Sequence, residues 1–220
     1  MLRRVVAYFD PAVAGFGRRM WRLARWGLLA VAVALLGLGV FLLRLPQVRY
    51  WWGVAQLETG FPAAAARTAQ GVIDGGMATH YGFYRLLAAG QRRTGRTAEQ
   101  LATFDEAVRR FPDVWFAQGH RCWYGSLFGE AKRVLDSCDR AVALAPESRG
   151  EPLAWRGVAR ALSGDRAGAI ADLEAAMERW DGGSQWGTPY VERRREWLRR
   201  LKAGEDPFDA ATLDRERRSF

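Results

Sequence analysis

The spacing of a few small residues constrains this chain more than any other feature. Gly60, Gly95, Gly129 and Gly164 follow one another at intervals of 35, 34 and 35 residues. Ala107, Ala141 and Ala176 keep the same step, at 34 and 35, and so do Pro112 and Pro146, at 34. Three independent residue types sharing one long period are the signature of a supersecondary unit copied along the chain. The alternative is an ordinary helical bundle drawn from an alanine-rich composition.

The stretch Leu153–Trp180 shows the unit best. Two alanine-rich helical runs flank a turn at Gly164–Asp165. Gly157 on the first run, and Ala169 and Ala176 on the second, are small where two helices would touch most closely. Leu173 is the larger plug between those alanines. This unit resembles a tetratricopeptide (TPR) repeat, a helix–turn–helix of about 34 residues with a pattern of large apolar, Leu-Gly, aromatic, Ala-x3-Phe and Pro positions. Leu153, Gly157, Ala169 and Leu173 match that pattern in size, whereas Arg156, Arg160 and Asp181 depart from it.

The frame extends backward over residues 46–183 as four degenerate TPR-like units, 46–80, 81–114, 115–148 and 150–183. In the first, Gly53, Gly60, Ala65 and Ala69 keep the frame, Pro62 opens the second helix, where its missing N–H costs nothing, and Gly75-Gly76 closes it. In the second, Tyr84, Leu87, Ala88, Phe104 and Ala107 fit, while Gln91 and Gln100 do not. In the third, Cys122 and Cys138 replace a small and an aromatic residue. The expected fold class is all-α: one N-terminal transmembrane helix, then a TPR-like helix–turn–helix solenoid with a C-terminal capping helix.

The transmembrane expectation rests on Trp26–Leu43, an uncharged apolar run of 18 residues between Arg25 and Arg44. As a helix it would be about 27 Å long, close to the hydrocarbon thickness of a bilayer. Trp21 and Trp26 flank one end, and Tyr50, Trp51 and Trp52 the other, as an aromatic belt would. No small-x-small site follows the run, so it reads as an uncleaved signal-anchor over 26–45 rather than a removed signal peptide. Residues 1–44 hold seven arginines against one aspartate, so much of the chain's net +9 lies there. Six of these arginines precede the run and only Arg44 and Arg49 follow it closely. That asymmetry predicts a cytoplasmic N-terminus (residues 1–25) and an extracytoplasmic C-terminal domain, in the plasma (inner) membrane of a bacterium. A short amphipathic helix is expected near Leu2–Phe9, with Pro11 and Gly15–Gly17 breaking any longer one. Gly27, Ala30, Ala34 and Gly37 form a small stripe suited to packing against another membrane helix, unless it merely reflects composition.

After Gly182-Gly183-Ser184, a helix from Thr188-Pro189 to about Ala203 carries an apolar stripe of Tyr190, Trp197, Leu198 and Leu201. Arg193, Arg194, Arg195, Arg199 and Arg200 fill its remaining faces. A helix with one polar face closes the open end of a repeat array. A nucleic-acid patch is disfavoured by the interleaved Glu192 and Glu196 and by the predicted compartment. The tail, residues 205–220, is expected to be loosely docked or mobile.

No catalytic constellation stands out. The only histidines are His80 and His120, and no nucleophile elbow, phosphate-binding glycine loop or His-Glu-x-x-His is present. Neither metal nor cofactor is expected, since His120, Cys122 and Cys138 lack a fourth ligand. The resemblance to TPR proteins implies that the first helix of each unit lines a concave groove. On that frame Arg85, Arg92, Arg93, Phe116, His120, Trp123 and Trp155 reach it, and Arg and Trp are favoured interface anchors. The Lys and Asn pattern of the family's carboxylate clamp is not matched. The frame also points Cys122 and Cys138 into one helix–helix seam, as a disulfide or as two buried thiols; an even pair in an extracytoplasmic domain favours the bridge. The function expected is that of a non-enzymatic, membrane-anchored scaffold or chaperone-like adaptor that binds protein partners. An accessory subunit of a large membrane complex is the alternative, and a cryptic enzyme a remote one.

Overall fold

The computed structural model describes residues 11–42, 45–180 and 188–218, and the side chains of 25–39, 41, 45–180 and 189–218. It divides into two compact units, residues 1–49 and 50–220. Among the described residues every regular element is helical.

The first unit contains α1 (Pro11–Leu42). The helix runs through Gly15 and Gly17, contrary to the expected break. Pro11 is its first residue, where proline is tolerated, and an interior glycine costs only about 1 kcal/mol. The expected Leu2–Phe9 helix lies outside the described residues. Among the described residues no helix is long and apolar enough to cross a membrane; of the run Trp26–Leu43, the side chains at 40, 42 and 43 are outside the description. Trp26, Leu28, Leu36 and Phe41 are all more than 60 % exposed, and a Cβ added at Gly27 or Gly37 would meet nothing within 4 Å.

The second unit, with the start of its first helix falling before residue 50, is a succession of paired helices: α2 (Pro46–Glu58) with α3 (Pro62–Asp74), α4 (Gly82–Arg93) with α5 (Thr97–Arg110), α6 (Trp115–Gly125) with α7 (Leu135–Leu144), and α8 (Glu151–Ser163) with α9 (Arg166–Trp180). Every pair turns on one of the periodic glycines. Gly60, Gly95, Gly129 and Gly164 have φ of +87°, +73°, +89° and +96°. A residue with a Cβ pays about 1–2 kcal/mol in that left-handed conformation, which is why the period shows in glycine. The third pair is the irregular one. Its chain leaves α6 through a wide turn, kinks at Phe128-Gly129 and tightens into a 3₁₀ turn over Ala131–Val134 before α7.

Small residues set the seams. Ala65, Ala69, Ala107, Ala141, Ala169 and Ala176 are fully buried. At Gly157 an added Cβ would lie 3.2 Å from the Ala169 carbonyl, and at Gly90 2.6 Å from that of Pro62. Leu173 and Phe104 plug their pairs, at 0 % and 2 % exposure. Cys122 and Cys138 sit at the corresponding positions of the third pair and are joined in a disulfide, with Cα atoms 4.9 Å apart. Gln91 and Gln100, which depart from the repeat pattern, are buried all the same; Thr103 donates to Gln91 Oε1 at 2.9 Å. Before Pro146, Ala145 is extended (φ −75°, ψ 148°), as a residue preceding proline must be, and α7 ends there.

Two further helices close the array. The stripe on α10 (Thr188–Lys202) buries Tyr190, Trp197, Leu198 and Leu201. Arg194, expected on the polar face, falls inside that stripe because it lies four residues after Tyr190 and three before Trp197; its side chain is 0 % exposed. Its guanidinium lies 3.7 Å from the Tyr190 ring centroid, 4.5 Å from that of Trp197 and 5.4 Å from that of Trp123. The described part of the tail, residues 205–218, is docked rather than loose. After Gly204 (φ +90°) it forms α11 (Ala210–Arg218). Phe208 packs on Trp197, Glu216 pairs with Arg193 and Arg194 at 3.3 Å each, and Arg217 donates twice to the Leu127 carbonyl. The counter-ion of a buried arginine thus lies 22 residues further along, on a helix short enough to look like a frayed end.

Candidate functional site: an aromatic pocket in the groove

The first helices of the second, third and fourth pairs present aligned stripes. On α4 and the residue before it, Tyr81, Arg85, Ala89 and Arg92 recur at helical spacing; on α6, Phe116, His120 and Tyr124 do so; α8 contributes Trp155. Together with Gln100 and Phe104 of α5 they line a cavity of about 420 Å³. The neighbours approach closely because Gly119 has no side chain. A Cβ there would sit 2.6 Å from Cε3 of Trp155. The walls are packed aromatic surfaces: Phe104 and Tyr124 stack at 5.1 Å between centroids, and His120 lies 5.6 Å from Trp155 and 5.8 Å from both Phe104 and Phe116. Trp115 stacks behind Phe116 at 3.6 Å.

At the base, the Tyr81 hydroxyl and His120 Nδ1 are 2.5 Å apart. Burial, reinforced by the Arg85 charge, lowers the His120 pKa to about 3. Burial raises the Tyr81 pKa well above its ordinary value. The tyrosine therefore donates to a neutral imidazole, which leaves the imidazole proton on Nε2. Tyr124 is likewise pushed up by burial. No carboxylate lines the pocket, and two guanidinium groups do. Such a site can receive a large apolar group and offer charge at its rim.

Of the residues expected in the groove, Arg85, Arg92, Phe116, His120 and Trp155 come together here. Trp123 does not. It precedes Tyr124 by one residue, a rotation of about 100° around the helix, and is 1 % exposed on the side facing Arg194. Arg93 also turns away, donating from Nη1 to the Leu57 carbonyl at 2.5 Å. The sequence expectation omits Tyr81 and Tyr124, although each lies four residues from an expected groove residue on the same stripe. Phe104 and Gln100 enter from a second helix, where the repeat frame assigns residues to the seam alone. Among the described residues no group of three or more His, Cys, Asp or Glu could hold a metal. The two cysteines are bonded to each other, and Nδ1 of His120 is engaged by Tyr81.

No family model matches the chain, and no curated protein matches it in sequence. Solved structures match its fold. MamA (residues 41 to the end) from Desulfovibrio magneticus RS-1 superposes with a TM-score of 0.58 at 15% identity, covering 79% of this chain and 91% of that one. TTC0263, a thermophilic TPR protein of Thermus thermophilus, gives 0.54 at 20% identity, covering 86% and 96%. A tetratricopeptide repeat protein from Parabacteroides merdae gives 0.57 at 16% identity, covering 73% and 61%. The fold is that of a TPR solenoid.

Proposed function

We propose that this chain is a membrane-anchored interaction scaffold, or chaperone-like adaptor, whose TPR groove binds a protein partner. The observation that carries this reading is the pocket: aromatic, open on the groove and rimmed by Arg85 and Arg92 without a carboxylate among its lining residues. Aromatic and arginine side chains around a desolvated cavity are what interface anchors engage. Nothing in the arrangement pairs an acid with a base for catalysis, so the reading is non-enzymatic. The anchor is the run Trp26–Leu43. Its described side chains are exposed apolar groups for which a bilayer is a natural solvent. The arginine asymmetry favours a single pass with the N-terminus in the cytoplasm and the solenoid outside, in the inner membrane of a bacterium.

A second reading, an accessory subunit of a larger membrane complex, is favoured by Trp51 and Trp52. They are 61 % and 57 % exposed on α2, a few residues after the apolar run in the chain. In that reading a neighbouring membrane subunit covers these rings, and another membrane helix packs on the stripe Gly27, Ala30, Ala34 and Gly37. Purification of the full chain in mild detergent, with mass spectrometry of what accompanies it, separates the two. A scaffold loses its co-purifying proteins when Arg92 and His120 are both changed to Ala; a subunit keeps them and loses them instead when Ala30 and Ala34 become Leu. A C-terminal alkaline phosphatase fusion should be active in a bacterial host, and activity only of a cytoplasmic reporter would overturn the orientation.

A further inference from the structure

The arginines of the solenoid fall into two populations. Many hold carboxylates: Arg110 on Glu106, Arg156 and Arg160 on Asp172, Arg199 on Glu196. Four that line the pocket or the cleft beside it do not. Arg92, Arg93 and Arg217 donate to the backbone carbonyls of Arg218, Leu57 and Leu127. The Arg85 guanidinium has no hydrogen bond or ion pair among the described residues. A carbonyl satisfies a donor but leaves the positive charge uncancelled.

These four cations face one surface. Beside the aromatic pocket lies a shallower cleft of about 810 Å³, bordered by α11 and by Arg93, Phe128 and Arg217. Arg92 and Gln100 line both. Of all the residues lining the two, Asp214 is the only acid, and it is paired with Arg218. The surface is therefore asymmetric: an apolar hole at one end and a shelf of uncompensated arginines at the other.

We propose that it takes an acidic peptide segment of a partner protein. One large apolar side chain of that segment enters the aromatic pocket, and its neighbouring carboxylates lie along Arg85, Arg92 and Arg217. This rests on the groove being an interaction surface and specifies what it selects. A small aromatic carboxylate would use the pocket and one rim cation. Arg93 and Arg217 line the cleft and not the pocket, so the charge extends further than such a molecule reaches. Guanidinium groups also match carboxylates in bidentate geometry.

The test is to pan a random dodecapeptide phage library against the full chain in non-ionic detergent. The selected peptide is then titrated by fluorescence anisotropy. Enrichment of sequences with one aromatic or large aliphatic residue among several Asp and Glu is expected. Changing that apolar residue to Ala should weaken binding about tenfold through lost apolar burial, and Arg85→Gln or Arg92→Gln of the protein about tenfold each, the worth of one hydrogen bond to a charged group. Melting temperature should stay the same, and Arg110→Gln should have no effect. Neutral or basic selected sequences that still lose binding with Trp155→Ala would overturn the acidic specificity while leaving the groove an interaction surface. Equal binding by Arg92→Gln, no enrichment at all, or full competition by indole-3-propionate at the peptide's own affinity would each overturn the proposal. The co-purification experiment judges the groove itself independently.

Discussion

Arg194 offers the sharpest test of how the solenoid is closed. It is 0 % exposed, yet it carries charge between Tyr190, Trp197 and Trp123 and reaches Glu216 Oε2 at 3.3 Å. Desolvation lowers its pKa, and Tyr190 and Glu216 act in the opposite direction. Arg194→Met keeps a straight chain to fill the stripe but removes the charge. Two losses follow. Buried cation–π contact is worth about 2 kcal/mol. The Glu216 carboxylate, 1 % exposed, is left with a partner, Arg193, that is itself one-third exposed. Breaking a buried pair from one side costs about 3–5 kcal/mol. Arg193 offsets about half of this second loss, so a net loss of about 4 kcal/mol is expected. Arg194→Met with Glu216→Leu removes both charges and should cost less than Arg194→Met alone, giving a coupling of about 2 kcal/mol. Urea unfolding followed by tryptophan fluorescence measures each corner of the cycle, and trypsin sensitivity at Arg215 and Arg217 reports release of α11. Additive effects, or a loss below about 0.5 kcal/mol in the single variant, would refute the buried pair as the latch of the tail.

Two further outcomes follow from the same core. Reducing the Cys122–Cys138 bridge, which spans 16 residues, should lower stability by about 3 kcal/mol on the chain-entropy account; Cys122→Ala/Cys138→Ala should respond to reductant not at all, and two alkylated cysteines in the denatured, unreduced protein would contradict the bridge. His120 has a folded pKa near 3, below its unfolded value of about 6.5. Between those values the unfolded chain binds the extra proton, so the contribution is complete above about pH 6.5 and is lost as pH falls toward 3, at up to about 1.4 kcal/mol per pH unit. His120→Phe should flatten that limb of a urea-midpoint titration, and an unaltered slope would count against a neutral imidazole.

The solenoid was legible because its constraints are local and repeated. A left-handed turn demands glycine at each hairpin, and a tight seam demands alanine, so Gly60 to Gly164 and Ala107 to Ala176 display the period directly. The pocket was half legible. The repeat frame names which helix lines the groove, and Arg85, Phe116, His120 and Trp155 follow from it. It does not say on which side of that helix a given ring falls, and one residue of rotation separates Trp123 from Tyr124. The C-terminal closure was the least legible part. Five arginines around α10 look like one solvated face, and only the distant Glu216, together with three aromatic rings from two helices, makes Arg194 a core residue.

Site-specific photocrosslinking in cells shows whether a partner docks in the concave groove. A benzoylphenylalanine placed at Phe116, at the mouth of the aromatic pocket, should yield a discrete crosslinked protein. The same group at Glu178, exposed on the outer helix α9, should yield none, and Arg92→Ala should diminish the Phe116 product. Crosslinks of equal strength from both positions, or a Phe116 product indifferent to Arg92, would place the partner elsewhere on the chain and rule out docking in the groove.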